Sequence, residues 1–296
     1  MLCAYRPSSL AVYSLDAAGW HLWQAVNDFL GPRAGEHFAA WLRAGQRLVH
    51  CPLVTYVLKR QGVFIARPFT LDRIVLNEVL VANVYLEHLK IQEGDTVVDL
   101  GAHIGVLTVL AATQGRGVRV YSYEPVPDNV ALLEQNVALN RVSDQVTICP
   151  VAVGGARGRR TFGVSVGGMG RLASSLEGLK YCEVDTVTLQ DIFATHGLTR
   201  INYLKVDIEA AEYEMFAALP KEHLKRIDRI AMECHLSIQP ERFPQLIRLL
   251  EEAGFSLSIT PGHRASLKLV FAQRTGPSAS HGSDREVLAG ELVPLR

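Results

Sequence analysis

Two clusters in this chain carry residue types that can do chemistry. Residues 96–108 read TVVDLGAHIGVLT. A β-branched run ends in Asp99, Gly101 and Gly105 stand four apart, and a second apolar stretch follows. That is the outline of a strand, a tight turn and a helix, which in an α/β chain makes a nucleotide pocket. Such a turn is expected to bring bare backbone N–H groups and a helix start towards a ligand. The second cluster is KVDIEAAEYE, residues 205–214. Strand alternation places Lys205, Asp207 and Glu209 to one side, and the run MECH adds Glu233 and His235.

The type of nucleotide follows from charge. Dinucleotide enzymes hold a pyrophosphate on a GxGxxG turn, whereas here the turn is Gly101-Ala102-His103-Ile104-Gly105 and the middle glycine is missing. Asp99 would also present a carboxylate near a doubly charged anion, at a cost of about 1–4 kcal/mol between bulk water and a protein surface. A cationic adenosyl donor would welcome that acid, and S-adenosylmethionine (SAM) is such a molecule. Glu124, in VYSYEP, lies 23 positions after Gly101, the separation expected of an acid gripping ribose hydroxyls. A ribose alone does not separate SAM from NAD; Asp99 does. Two blander roles stay open at this point: Asp99 as a helix-capping acid and Glu124 as a solvated strand end. His103 either touches the methionine end of SAM or is an exposed loop histidine.

Methyl transfer from a sulfonium is an in-line displacement with a good leaving group. The protein must align the acceptor, exclude water and remove a proton where the acceptor is a hydroxyl. Asp207, at the carboxyl end of a strand beside the cofactor strand, is the first candidate for that work, with Glu209, Glu233 and His235 sharing its rim. No metal is expected to be required, although Asp207, Glu233 and His235 are the residues that would hold a divalent ion.

The elements that position these residues are legible from periodicity. TVVDLG, RVYSYEP, VTICPVAVG, INYLKVDIE and RIAMECH are five short β-rich runs. Most are separated by helix-patterned segments such as PDNVALLEQNVALNRV and PERFPQLIRLLEEAGF, where Phe243, Leu246, Ile247 and Leu250 form a stripe stopped by Gly254. Alternation of this kind means parallel βαβ units in an open sheet covered on both faces. FSLSIT-PGH-RASLKLVFAQR ends the sheet as a hairpin, so the last strand is antiparallel. Residues 1–90 are expected to be a mainly helical cap, in which Ile74, Val75, Val79, Ala82 and Leu86 share a buried face. Residues 91–274 form the nucleotide-binding domain, with 154–184 as a glycine- and serine-rich insertion and acceptor loop; residues 275–296 are a flexible tail. On the helix after the second strand, Asn136 and Asn140 are expected to be solvated or capping.

Bulk properties exclude several classes. The 296 residues are 48% hydrophobic and 20% charged, enough for a sizeable core. Thirty basic and thirty acidic side chains cancel, so no nucleic-acid footprint is expected. No run approaches the roughly 18 apolar residues of a membrane helix, and no signal peptide is expected. Five scattered cysteines without a CxxC pair fit reduced thiols in a cytoplasmic protein rather than disulfides or zinc.

Taken in order, VVDLGAHIGVLTVLAA, YSYEPVPDNVALLEQNVALN, AVGG, VDTVTLQDIF and INYLKVDIEAAEYEMFAAL resemble the FkbM family of SAM-dependent methyltransferases over residues 75–235. The resemblance implies a class I (Rossmann-like) methyltransferase sheet of seven strands, the last antiparallel. It implies SAM bound by Asp99, Gly101, Ala102, His103, Gly105, Glu124, Pro125, Ala152 and Asp207. It also implies methyl transfer to a small natural-product, sugar or peptide-derived acceptor, at oxygen in most members. The chain departs from the family at His103, where Asn is common, and at Ala210, where Gly is common; the latter is expected only to fill a little more space. Transfer to nitrogen, such as a peptide amide, remains open, as does a homodimer. An NAD-dependent oxidoreductase and a SAM-binding module without turnover are the readings from other classes.

Overall fold

In the computed structural model the described residues are 53–58, 61–67, 70–86, 90–164, 170–172, 180–237, 239–262 and 265–274. The elements run β1 (Val54–Leu58), β2 (Gly62–Ala66), α1 (Asp72–Leu80), β3 (Thr96–Leu100), α2 (Val106–Ala112), β4 (Arg119–Tyr123), α3 (Pro127–Leu139) and β5 (Val146–Cys149). Then come β6 (Ala152–Val153), β7 (Gly158–Val164), β8 (Gly170–Leu172), β9 (Lys180–Val187), α4 (Leu189–Thr195), β10 (Ile201–Val206) and α5 (Glu212–Ala218). The chain continues through α6 (Lys221–Leu224), β11 (Ile227–His235), α7 (Phe243–Glu252), β12 (Phe255–Pro261) and β13 (Leu267–Arg274).

The central sheet has seven strands in the order β12-β13-β11-β10-β3-β4-β5. Strands β11, β10, β3, β4 and β5 are parallel neighbours, and β13 runs antiparallel to both β11 and β12. This is the expected seven-stranded class I architecture. Order reverses between β3 and β10, so the crevice at their carboxyl ends is the switch point.

Strand alternation sorts the core into two layers. Val97, Tyr203, Ala231 and Phe271 face β2, α1, α2 and α3, whereas Val98, Leu204, Ile230 and Val270 face α4, α5 and α7. The polar residues Asp99, Lys205 and Glu233 have odd numbers like the first set and therefore lie on the α1 side. As expected, Leu246 and Leu250 are the buried stripe of α7, and Gly254 ends it with φ +88°.

Three expectations are corrected. Within residues 1–90, Val54–Leu58 and Gly62–Ala66 pair as antiparallel strands rather than forming helix, because VTYVL and GVFIA are runs rich in β-branched and aromatic residues. The rest of the cap expectation, residues 1–52 with all three tryptophans, lies outside the described residues, as does the tail. In α1 the buried set is Asp72, Leu76, Val79 and Leu80. Ala82 and Leu86 fall beyond the helix, where Asn83 turns left-handed at φ +51°, and Ala82 is exposed. The 154–184 insertion is strand at its described ends, since β7, β8 and β9 join β6 in a four-stranded sheet ordered β6-β9-β7-β8.

The fourth correction concerns two asparagines. Asn136 is fully buried; its Oδ1 accepts the Ile65 N–H at 2.6 Å and its Nδ2 donates to Ile65 O at 3.1 Å and Ile104 O at 2.8 Å. Asn140 accepts from Val63 N at 2.8 Å and donates to Val63 O at 2.7 Å. Four residues of helix rise about 6 Å and two residues of strand about 6.6 Å, so an i,i+4 pair of amides matches alternate residues of an edge strand. The two asparagines stand in for a neighbouring strand on β2 and bind the hairpin to α3. Asn136→Ala should strip partners from three buried backbone groups and lower stability by about 3 kcal/mol. Asn140→Ala, at a half-buried position, should lower it by about 1 kcal/mol. Urea unfolding of the two variants measures both losses.

Candidate active site

The glycine turn is fixed by close approach. Gly101 has φ +77°, and a Cβ there would sit 1.9 Å from the Asp207 carbonyl oxygen. No other residue type fits where β3 and β10 converge. Gly105, at φ +83° before α2, leaves no room for a side chain against Leu133. The N–H groups of the turn point inward. Gly101 and Ala102 both donate to Tyr123 O at 3.0 Å, Gly105 donates to Ala102 O at 2.8 Å, and His103 donates to Glu124 Oε2 at 2.9 Å. The expectation of bare N–H groups aimed at a ligand is thus corrected at these four positions: β4, Glu124 and the turn's own Ala102 carbonyl hold them.

Asp99 is fully buried and lies behind the turn rather than at its mouth. Thr108 Oγ1 donates to its Oδ2 at 2.7 Å and also contacts Ser122 Oγ at 2.8 Å. Lys205 Nζ lies 3.5 Å from the other carboxylate oxygen. Glu124 is also buried, accepting from His103 N, Val126 N at 3.0 Å and Asn129 Nδ2 at 3.1 Å. Burial pushes its carboxyl up, against those donors. Neither acid has the blander role left open above: Asp99 does not cap α2, and Glu124 is not solvated. Pro125 is half-buried beside Glu124, and Ala152 is enclosed with Val126, Phe162 and Val184.

His103 has φ +53°, a conformation asparagine tolerates better. Its ring is 12% exposed, with Nε2 3.5 Å from Asp72 Oδ1, so it is not an exposed loop residue. Burial lowers its pKa to about 4, outweighing Asp72, and the imidazole is neutral at physiological pH. Asp72 is held by Arg67 at 2.7 Å, and Arg67 also donates to Asn129 Oδ1 at 2.6 Å.

Lys205 is the centre of the crevice. Its ammonium is 5% exposed, donates to Gly101 O at 2.7 Å and Leu100 O at 3.2 Å, and lies 3.7 Å from Asp207 Oδ2. Burial works against the charge, yet Asp99, Asp207 and Glu233 outweigh it and raise the pKa. Asp207 is the accessible member, with its side chain 29% exposed. Tyr85, just past α1, contacts Asp207 Oδ2 at 3.3 Å and Glu233 Oε1 at 3.1 Å.

Of the expected rim residues, Glu233 lies deeper and His235 is already engaged by other side chains. Glu233 is 7% exposed, beneath Tyr85 rather than on the rim. His235 is clasped: Nε2 lies 3.5 Å from Glu209 Oε2 and Nδ1 3.3 Å from Glu212 Oε1, which also accepts the His235 backbone N–H at 2.8 Å. Burial alone would lower its pKa, but the Glu212 hydrogen bond with Glu209 and Asp207 raises it to about 10. An imidazolium is a poor general base, and a metal would have to displace its proton. Asp207, Glu233 and His235 do bring ligand atoms within 4.8 Å of one another.

Tyr85 and Glu212 are residues that the sequence reading did not single out, and it gave Lys205 a face of the strand but no role. Lys205 carried a signal, as a lone lysine in a central apolar strand needs buried partners. Tyr85 carried none, because its neighbour lies 122 positions away.

Residues 99–257 match the model of the methyltransferase FkbM domain. The chain belongs to the FkbM methyltransferase family. It is 27% identical over 188 residues to 31-O-demethyl-FK506 methyltransferase FkbM of Streptomyces tacrolimicus, covering 53% of this chain and 72% of that protein. It is 26% identical over 183 residues to Methyltransferase 1 of Beauveria bassiana (strain ARSEF 2860), covering 55% and 73%. The solved structure of methyltransferase FkbM from Methylobacillus flagellatus KT superposes with a TM-score of 0.44 at 14% identity, covering 63% of this chain and 45% of that one. As an FkbM member the chain is a SAM-dependent methyltransferase. No helix among the described residues is long and apolar enough to cross a membrane.

Membership also gives Ala210 a meaning beyond volume. Ala210 has φ +78°, directly after Glu209 at φ +53°, so the glycine common in the family is the residue this backbone favours. Ala210→Gly should relieve left-handed strain and raise stability by about 1 kcal/mol, seen as a higher urea midpoint with an unchanged slope.

Proposed function

We propose that this enzyme transfers the methyl group of SAM to an oxygen of a small natural-product, sugar or peptide-derived acceptor, with Asp207 orienting the acceptor and taking its proton. One observation carries the reading. Asp207 is the most accessible carboxylate at the β3–β10 junction, and its backbone touches the glycine turn, so a donor on that turn and an acceptor at Asp207 are adjacent. The turn itself suits a sulfonium better than a diphosphate, since its N–H groups at 101, 102, 103 and 105 already have partners. Glu124, Pro125 and His103 border the same turn on the β4 side and, with Ala152 of β6, are the proposed adenosine and methionine contacts. Lys205 and the buried Glu233 shape the charge of the crevice, and His235 with Glu209 closes its far side.

The chemistry needs only placement and one proton acceptor. The acceptor oxygen attacks the methyl carbon, the C–S bond breaks with its electron pair staying on sulfur, and the O–H proton passes to the Asp207 carboxylate. A positioned general base contributes about 10²–10⁴-fold. The acceptor class is tested with methyl-labelled SAM and a panel of hydroxylated polyketides, sugars and peptides, the labelled atom in the product distinguishing oxygen from nitrogen. With the acceptor found, Asp207→Asn should lower turnover at least about 100-fold while calorimetric SAM affinity stays within about threefold. Equal losses in both would make Asp207 a cofactor or structural residue instead.

A further inference from the structure

Asparagines on one face of α3 grip alternate residues of β2 and the residue just past its end. Asn140 pairs with Val63 and Asn136 with Ile65; the next in line, Asn129, meets Arg67, whose Nη2 donates to its Oδ1 at 2.6 Å. From Asn136 back to Asn129 is about 10.5 Å of helix, whereas Ile65 to Arg67 is about 6.6 Å of strand. A long side chain closes that gap where a backbone group does not. Arg67 is itself pinned, because its backbone N–H, Nε and Nη2 donate to the Asp72 carboxylate at 2.8, 2.9 and 2.7 Å. Asp72 is fully buried, and such a fork fixes the guanidinium plane.

The line continues to Glu124. An amide has one accepting end and one donating end. Because Asn129 gives its Oδ1 to Arg67, its Nδ2 is the end that faces Glu124, donating to Oε1 at 3.1 Å. Val126 N–H takes the other side of Oε1 at 3.0 Å, and His103 N–H takes one side of Oε2 at 2.9 Å. A carboxylate oxygen accepts from two sides, so the second side of Oε2 is what Glu124 can offer a ligand. His103 closes the ring, with Nε2 3.5 Å from Asp72 Oδ1. Asn129 is buried. Without Arg67 its Oδ1 would be stranded, and the amide would turn or draw in water to satisfy it. Either change releases Glu124. Arg67 and Asp72 both precede the family domain at residues 99–257.

We propose that Arg67 is a positioning residue for the cofactor's ribose: through Asn129 it holds the Glu124 carboxylate so that the open side of Oε2 meets a ribose hydroxyl. The segment ahead of the family domain is then part of the cofactor site rather than a separate cap. Asp72 fixes the guanidinium from one side, and Asn129 carries its orientation to Glu124 on the other. The inference rests on the reading of Glu124 as an adenosine contact given above.

The test is calorimetry of the full chain with S-adenosylhomocysteine and its 2′-deoxy and 3′-deoxy analogues. The native protein should bind one of the two analogues at least about tenfold more weakly than the parent, the effect of a lost hydrogen bond to a charged group. In Arg67→Gln that discrimination should shrink to within about threefold, while affinity for the weaker analogue stays as in the native protein. A merely structural role would weaken all three ligands alike and leave the ratio intact, and that result overturns the proposal. Asn129→Ala, which keeps the Arg67–Asp72 pair, should show the same loss of discrimination. If neither variant folds, the Arg67 Nε–H resonance of the native protein reads the link. It should shift with the parent compound and not with the weaker analogue, and identical responses overturn the proposal. The two ideas fail differently. A native protein that does not discriminate sinks the Glu124 contact and the inference with it, whereas discrimination that survives Arg67→Gln sinks the inference alone.

Discussion

The site depends on one buried ammonium. Lys205 sits in a strand with neighbours on both sides, and its charge is met by Asp99 behind it and Asp207 in front. A charge in such a place is tolerated only when paired and hydrogen-bonded. Its two carbonyl contacts, Leu100 and Gly101, are the last residue of β3 and the first of the turn. The same group that neutralises Asp99 therefore holds the turn against β10. Asp99 thus enters the crevice as half of an ion pair rather than as a bare acid.

Around that pair the other acids divide by environment. Asp207 stays accessible, Glu233 is shut beneath Tyr85, and Glu209 and Glu212 are tied up with an imidazolium. Carboxylates of similar intrinsic strength acquire different work when burial and partners differ. The left-handed residues at 209 and 210 turn the chain sharply enough for Glu209 and Glu212 to reach His235 from opposite sides. The strain at Ala210 is a consequence of making that turn without glycine.

Much of the scaffold was legible in the sequence because it obeys short-range rules. The five parallel strands, the closing hairpin and the α7 stripe follow from periods of two and 3.6. The glycine turn was legible from its spacing, and Asp207 from its place after a strand. What could not be read is what depends on distant partners. Asn136 and Asn140 have the spacing of a solvated helix face, and nothing local says that an edge strand lies against them. The β1–β2 pair sits among helix-like segments, and its β-branched runs were too short to stand out. His235 resembled a base in isolation, and only Glu209 and Glu212 together make it a cation. Tyr85 belongs to the site solely because α1 ends where it does.

The most direct measurement is the calorimetric affinity of Lys205→Met for SAM. Removing the ammonium leaves Asp99 buried without its partner, a loss of about 3–5 kcal/mol, which a domain of ordinary stability survives at low temperature. The account predicts a variant with native circular dichroism whose SAM affinity falls at least about tenfold, or 1.4 kcal/mol, because the turn has lost its anchor. A folded variant that binds SAM as tightly as the native protein would contradict it.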